Sequence, residues 1–498
     1  MSYKRIWAKQ YSSLNSIKND INPKISIDNY IYLLYQTQGS ISGYSNNGGS
    51  DLILSKLSLT GNIIWVNQIN YSSNIIYNTI GNEENPYIMA KNENIYMVHR
   101  GGTNNYGNII VSKINSINGS IVWSWNNKNS LSIAEVDELP KIALDNYDNV
   151  ILTYQTNGNI INNTNKGNTD IVVCKLNDMD GNIDWYHQYN EINTNYTESN
   201  PYVACDINGN IFLSYVTTSN IETGNLNSNN TTDIGLVKIN NDTGVIYWKK
   251  YFKELNLINN QSNPTIDIDI TGNVYMVYQT NNIVDPSFNF NSNIYGNIGG
   301  NISIVFVKMN NNGKLLWARQ KKTFNTTFNN TNPTIKVDNN CDIFFAYQTS
   351  GVLYNGINYG GVDIILGKMS RNGELEWILQ DNLNTSGDDI NPSIDLDENN
   401  NLYITYQTTG NIEGGSVNYG EYDIVLAKYG VPIEIIPENI LITNTKSIKN
   451  THIKRKQIQS ISNISHKLLN EAELTTELYN IINNNCKNYI KYMDVNNN

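Results

Sequence analysis

Three residue series recur in step along this chain, and a fixed internal period is the mark of solenoids, propellers and arrays. Tryptophans fall at Trp7, Trp65, Trp123, Trp185, Trp248, Trp317 and Trp377, at intervals of 58, 58, 62, 63, 69 and 60 residues. A glycine stands four positions before each of the last six: Gly61, Gly119, Gly181, Gly244, Gly313 and Gly373. Lysines closing apolar runs such as DLILSK and DIVVCK keep the same beat at Lys56, Lys113, Lys175, Lys238, Lys308, Lys368 and Lys428. Prolines, usually after asparagine, form the third series: Pro23, Pro86, Pro140, Pro201, Pro264, Pro333 and Pro392. A length of 498 residues would suggest about three domains of ~150 residues each. Seven copies of one unit replace that expectation.

Each unit reads as four short strands separated by turn residues. One follows Asn-Pro (NPTIDID), one ends in Tyr-Gln-Thr (NVYMVYQT), one has the form DIxLxK, and one carries GxxxW. In the second and third, both alternating faces are apolar: Ile31, Leu33 and Tyr35 point one way, Tyr32 and Leu34 the other. A sheet with one wet face alternates apolar with polar, so these sheets are covered on both sides. Four-stranded sheets stacked face to face around an axis make a β-propeller, which buries both faces and keeps its edges short. The opening segment RIWAKQY is a fourth strand without its Gly-x-x-x, and the last repeat stops at Tyr429 without a fourth strand. The expected fold is therefore all-β, a seven-bladed β-propeller over residues 1–429, closed by the N-terminal strand Arg5 to Tyr11 joining the sheet of 391–429. An open solenoid with capping repeats has no use for that complementary leftover.

The order Trp-Ala-Lys-Gln, Ile-x-x-Asp-x-x-x-Asn-x-Tyr, a Gly-rich stretch, Asp-hydrophobic-x-hydrophobic-x-Lys and Gly-x-x-x-Trp resembles the SBBP-type β-propeller repeat. The resemblance covers about residues 6–429 and implies the propeller fold without implying an activity. Tyr-Gln-Thr, as at Tyr154, Gln155 and Thr156, stands where that repeat commonly has a glycine.

Composition narrows the function classes. Only 16% of residues are charged, against about one-quarter in average soluble domains, so surface polarity rests on Asn, Ser and Thr. A net charge of -11 argues against a duplex nucleic acid partner, whose phosphates are neutralised by Lys and Arg. No run approaches the length of a membrane-spanning helix, and MSYKRIWAKQ lacks the apolar core of a signal peptide. These features point to an intracellular or virion-associated protein, and the heavy use of Asn, Ile, Tyr and Lys is that of an AT-rich genome. Cys174, Cys205, Cys341 and Cys486, like His99, His187, His452 and His466, are too scattered for a local metal motif.

The turns after strands one and three are short, as at Asn208-Gly209-Asn210, whereas the connections after strands two and four are long, as in GSISGYSNNGGS. Alternating strand directions put all the long connections on one face of the disc, where binding groups are expected. Two places break the repeat: blade two has His99-Arg100 in place of Tyr-Gln, and blade five has the longest connection, 281–300. The expected binding residues are accordingly His99, Arg100, Asp285, Phe288, Phe290 and Tyr295, the aromatics being suited to sugar rings or a protein partner. The recurring lysines are expected to be structural, each laying its stem on a neighbouring blade and meeting a carboxylate such as Asp145, Asp269 or Asp397. No GxSxG, HExxH or P-loop is present, and no catalytic residue is assigned. No cofactor is expected; Asp267, Asp269, Asp395 and Asp397 alternate as oxygen ligands do in calcium loops, but such turns favour Asp and Asn for backbone reasons.

Residues 430–498 carry eight Lys and Arg against six Asp and Glu, leaving the propeller at -13 and the tail at +2. Pro432 and Pro437 oppose helix, so 430–457 reads as a linker with a basic cluster at His452 to Lys456. Ile461, Ile464, Leu468, Ala472, Tyr479, Ile482 and Cys486 then follow helical spacing, predicting a C-terminal helical appendage within 458–498 that docks on the ring or self-associates through 458–492. The resulting functional expectation is a non-enzymatic binding or scaffold propeller that presents its loop face to a macromolecular partner. The alternatives are a glycan-binding surface or virion propeller, and a hydrolase or lyase working at the mouth of the central channel.

Overall fold

The computed structural model describes residues 3–431 except 47, 70–80, 102–106, 130, 132–135, 220–230, 253–254, 256–259, 282–301, 354–355 and 413–417. The linker and helix read between 430 and 498 lie outside the described residues from 432 onward. Two compact units are distinguished. The first, Met1–Leu57 with Ile63–Val431, forms the ring; of the second, Ser58–Asn62 with Pro432–Asn498, only the turn at 58–62 is described. That turn is closed by the Ser58 amide on the Asn62 carbonyl at 2.8 Å, with Gly61 at φ 78°.

The ring consists of seven four-stranded antiparallel sheets, six of them built from consecutive strands. The seventh takes its fourth strand from the other end of the chain: Lys4–Gln10 pairs antiparallel with Asp423–Gly430. The architecture is therefore the all-β, seven-bladed propeller with an N-terminal closing strand. The middle strands are buried along most or all of their length, wholly so in Ile31–Thr37 and Asp51–Leu57, because neighbouring blades cover both faces of each sheet. Between blades five and six, Phe306 packs edge-on to Phe324 at 5.2 Å and to Phe345 at 4.7 Å. Each fully buried side chain of this size contributes about 1.5–3 kcal/mol.

The Trp and Lys series turn out to be cross-strand partners, Lys56 facing Trp65, Lys113 facing Trp123 and Lys175 facing Trp185. On blades one, two, three and five such a pair reaches forward to the next blade. Lys113 Nζ and Trp123 Nε1 both donate to the Asp178 carbonyl, at 3.2 and 2.7 Å. Lys56 and Trp65 do the same to Ser116, and Lys308 and Trp317 to Arg371. Three of the expected carboxylate partners are met as well: Lys175 reaches Asp145 at 2.9 Å, Lys428 reaches Asp397 at 3.5 Å and Lys308 reaches Asp269 at 3.8 Å.

The Asn-Pro series marks a bulge. In each innermost strand the register slips between the residue before the Asn position and the residue after Pro, as between Ile21 and Lys24. Asn22, Asn85, Asn200, Asn263, Asn332 and Asn391 take φ values of 49–57° there, in the left-handed region that asparagine tolerates better than other side chains. Blade three alone holds a leucine in this conformation, Leu139 at φ 51°. Among the described residues no helix is long and apolar enough to cross a membrane.

Candidate active site

The innermost strands run from the face of the long connections towards the short turns, and alternate residues of each face the axis. Three successive tiers result. The position before Pro forms an upper collar, the position after Pro a middle tier, and two residues further on a lower tier. Together they enclose a cavity of about 250 Å³, whose lining comes from all seven blades. This is near the small end of ligand pockets, about 300–1,000 Å³, so it suits one small ring or a chain end rather than a length of polymer.

The collar is a relay of side-chain amides. Asn263 Nδ2 donates to Asn332 at 3.3 Å, Asn332 to Asn391 at 2.9 Å, and Asn391 to Asn22 at 3.3 Å. The glutamine of Tyr-Gln-Thr orients each member. Gln348 Oε1 accepts from Asn332 Nδ2 of its own blade at 3.1 Å and from the Asn391 backbone amide of the next at 2.8 Å. Gln279 and Gln407 repeat this arrangement. The relay covers blades five, six, seven and one. It breaks across blades two to four, where Arg100 and Val216 replace glutamine and Leu139 replaces asparagine.

The middle tier is equally lopsided. Blades one to four contribute Lys24, Tyr87, Lys141 and Tyr202, while blades five to seven contribute only Thr265, Thr334 and Ser393. Tyr87 and Tyr202 share a hydroxyl hydrogen bond of 2.7 Å with rings edge to face at 6.0 Å. Lys141 Nζ lies 5.3 Å from the centre of the Tyr87 ring. Burial depresses Lys24 to about 8, and burial together with the charge of Lys24 depresses Lys141 to about 7.

The lower tier carries charge on blades five to seven: Asp267, Lys336 and Asp395. Lys336 Nζ reaches Asp395 Oδ1 at 3.2 Å. Burial alone would depress Lys336, but the charges of Asp395 and Asp267 outweigh it and hold the ammonium above its ordinary value. Asp267 is raised by burial, against the pull of Lys336. Each carboxylate also staples the following blade, Asp267 Oδ2 accepting the Val337 amide at 2.8 Å and Asp395 Oδ2 the Ile27 amide at 2.7 Å.

The residues expected to bind on the loop face are distributed differently. His99 is fully buried inside strand Asn94–Gly101, and burial pushes its imidazole down to about 3, so it sits neutral in the blade rather than on the disc face. Arg100 is half-buried and ion-paired with Glu84 at 2.6 Å. Asp285, Phe288, Phe290 and Tyr295 lie outside the described residues. The paired aspartates divide as well. Asp267 and Asp395 belong to the axis, whereas Asp269 and Asp397 cap turns, Asp269 Oδ1 accepting the Thr271 and Asn273 amides at 2.9 Å each. Among the described residues no three His, Cys, Asp or Glu side chains gather as a metal site. Lys24, Tyr87, Lys141, Tyr202 and Lys336 were missed because each blade contributes only one of them, whereas Asp267 and Asp395 were read only as calcium-loop oxygens. Aligning the seven units on their prolines would have exposed the column Lys, Tyr, Lys, Tyr, Thr, Thr, Ser.

No family model and no curated protein matches the sequence. Among solved structures, the chain is similar to a protein of unknown function from Dyadobacter fermentans, at 10% identity and a TM-score of 0.46, covering 86% of this chain and 99% of that one. It is similar to the endosialidase of phage phi92 at 10% identity and 0.42, covering 90% and 71%. It is similar to an α-L-arabinanase of Penicillium chrysogenum, solved with arabinobiose, at 10% and 0.41, covering 75% and 99%. These are likenesses of fold. The expectation of a non-enzymatic scaffold presenting its loop face is corrected here, because the described polar groups that converge do so on the axis.

Proposed function

We propose that the protein is a hydrolase acting on a glycan at the mouth of its axial cavity. The observation that carries this reading is the pair of carboxyl groups on either side of Lys336, which itself lines one small polar cavity: Asp395 is matched by the ammonium and Asp267 is raised by burial. Two carboxyl groups in unlike environments are what glycoside hydrolysis uses, one as acid and one as base or nucleophile. Asp267, kept protonated more readily, is assigned the proton donated to the departing sugar oxygen. Asp395 is assigned the proton taken from water. A carboxylate offers about four lone-pair positions; Asp395 commits three, to the Ile27 amide, the Leu396 amide and Lys336, which leaves one for water. The amide relay supplies donors and acceptors for sugar hydroxyls, and the Tyr87 and Tyr202 rings supply apolar surface beside them.

The test is release of reducing ends from a panel of oligosaccharides and aryl glycosides by the purified chain. Asp267→Asn is expected to lower kcat by about 10²–10⁴-fold, the range for loss of a positioned acid, with KM little changed. Absence of cleavage across the panel by folded protein overturns the assignment.

A further inference from the structure

The chain satisfies its structural lysines with care. Lys56, Lys113, Lys175, Lys308, Lys368 and Lys428 each donate to a carbonyl, a carboxylate or both in a neighbouring turn or strand. Lys24 and Lys141 are different. They stand at the same middle-tier position on blades one and three, on either side of Tyr87, and no other blade has a lysine there. The only side-chain hydrogen bonds they make among the described residues go to the carbonyls of their own preceding prolines, Pro23 at 3.1 Å and Pro140 at 3.3 Å. Among the described residues neither forms an ion pair, whereas Lys336 in the same cavity is matched by Asp395.

An ammonium group has three donors, so each of these lysines keeps two for a ligand. Two unmatched cations in one cavity repel each other and cost desolvation, as the depression of Lys141 by burial and by Lys24 records. The cost falls in a protein of net charge -11, yet among the described residues no carboxylate forms an ion pair with either group. Seven copies of a residue are what a repeat makes; two copies at one tier, both facing the cavity, are a departure from it. An anion held between them offsets the repulsion and gains charge-assisted hydrogen bonds. The volume of the cavity restricts that anion to a small molecule or one terminal residue.

We infer that Lys24 and Lys141 form an anion subsite that takes the carboxylate of an acidic sugar residue, while the amide relay on blades five to one takes its hydroxyls. The inference rests on the glycan reading for the sugar and on the lysine geometry for the charge. Both are separable by experiment. Binding of glucuronate and of glucose to the full chain is measured by calorimetry, with Lys24→Met, Lys141→Met and the double variant beside it. Each variant keeps the stem volume and removes an unmatched buried charge, so thermal midpoints at or above that of the unaltered chain certify folding.

Glucuronate is expected to bind at least about tenfold more tightly than glucose, and the double variant to lose that advantage, in keeping with the strength of hydrogen bonds to charged groups. Equal binding of the two sugars overturns the anion subsite while leaving the glycan reading intact. Lysine-dependent binding of inorganic phosphate without binding of either sugar overturns the sugar assignment and the glycan reading together. Failure of all three probes overturns the subsite.

Discussion

Trp7 stands directly across the ladder from Lys428, the same pairing that joins Lys113 to Trp123 and Lys175 to Trp185 within continuous blades. The ends of the chain thus reproduce an ordinary blade interior. Gln10 reinforces the closure by donating to Asp423 at 3.0 Å, as Gln68 does to Asp51 and Gln188 to Asp170. The seam still lacks one thing, the turn that would link its third and fourth strands. Lys368 of blade six, with no such turn ahead of it, is held instead by Asp342 at 2.7 Å and Glu376 at 3.0 Å, while Tyr3 stacks on Trp377 at 5.1 Å.

The seam is accordingly the place where the ring opens first. Trp7→Ala is expected to cost about 3 kcal/mol, the lower end for large aromatic truncations, and to raise hydrogen exchange in Asp423–Gly430 before the other blades. Native-state exchange read by mass spectrometry checks this; uniform exchange across all seven blades would show that the closing strand is no weaker than the rest.

Leu139 occupies a backbone conformation that six asparagines fill elsewhere in the ring. A left-handed conformation costs a branched aliphatic residue about 1–2 kcal/mol, and no hydrogen bond of the collar offsets it there. Leu139→Asn is expected to stabilise the fold by about 1 kcal/mol, seen as a higher denaturant midpoint with an unchanged slope.

The fold was legible because its markers are the contacts that hold it. Trp and Lys recur because they face each other across one ladder, and on four blades both reach one carbonyl of the next blade. Asn-Pro recurs because every innermost strand needs the same left-handed bulge. The cavity was not legible because Lys24 in NPKIS and Lys141 in LPKIA look like ordinary strand lysines, and only the ring's closure brings blades one and three to one axis. His99 shows the opposite error. It is a departure from the repeat, but it fills the buried tyrosine position of its blade and belongs to packing.

That packing makes blade two sensitive to acid. The His99 imidazole has its pKa lowered to about 3 by burial, so the unfolded chain binds a proton that the folded chain refuses between that value and an ordinary histidine's ~6.5. Stability is lost as pH falls through that window and is fully present above it. His99→Phe is expected to flatten the fall in thermal midpoint between about pH 6.5 and about pH 4; an unchanged slope would place the acid sensitivity elsewhere.

The anion subsite has the reverse pH signature. Lys141 and Lys24 bind a carboxylate as ammonium ions, and burial brings them to about 7 and about 8. Affinity for glucuronate is therefore highest below both values and falls as pH rises through them, since the ligand carboxylate is already ionised at the lower end. The other titratable groups lining the cavity are Tyr87, Tyr202 and Lys336, with Asp267 and Asp395 beside Lys336. Burial raises both tyrosines, and the two aspartates keep Lys336 charged, so these three hold their protons throughout that range. Calorimetric titration from about pH 5.5 to about pH 9 is expected to show the decline, and Lys141→Met to leave only the later step, belonging to Lys24. A flat profile would mean that neither ammonium touches the ligand.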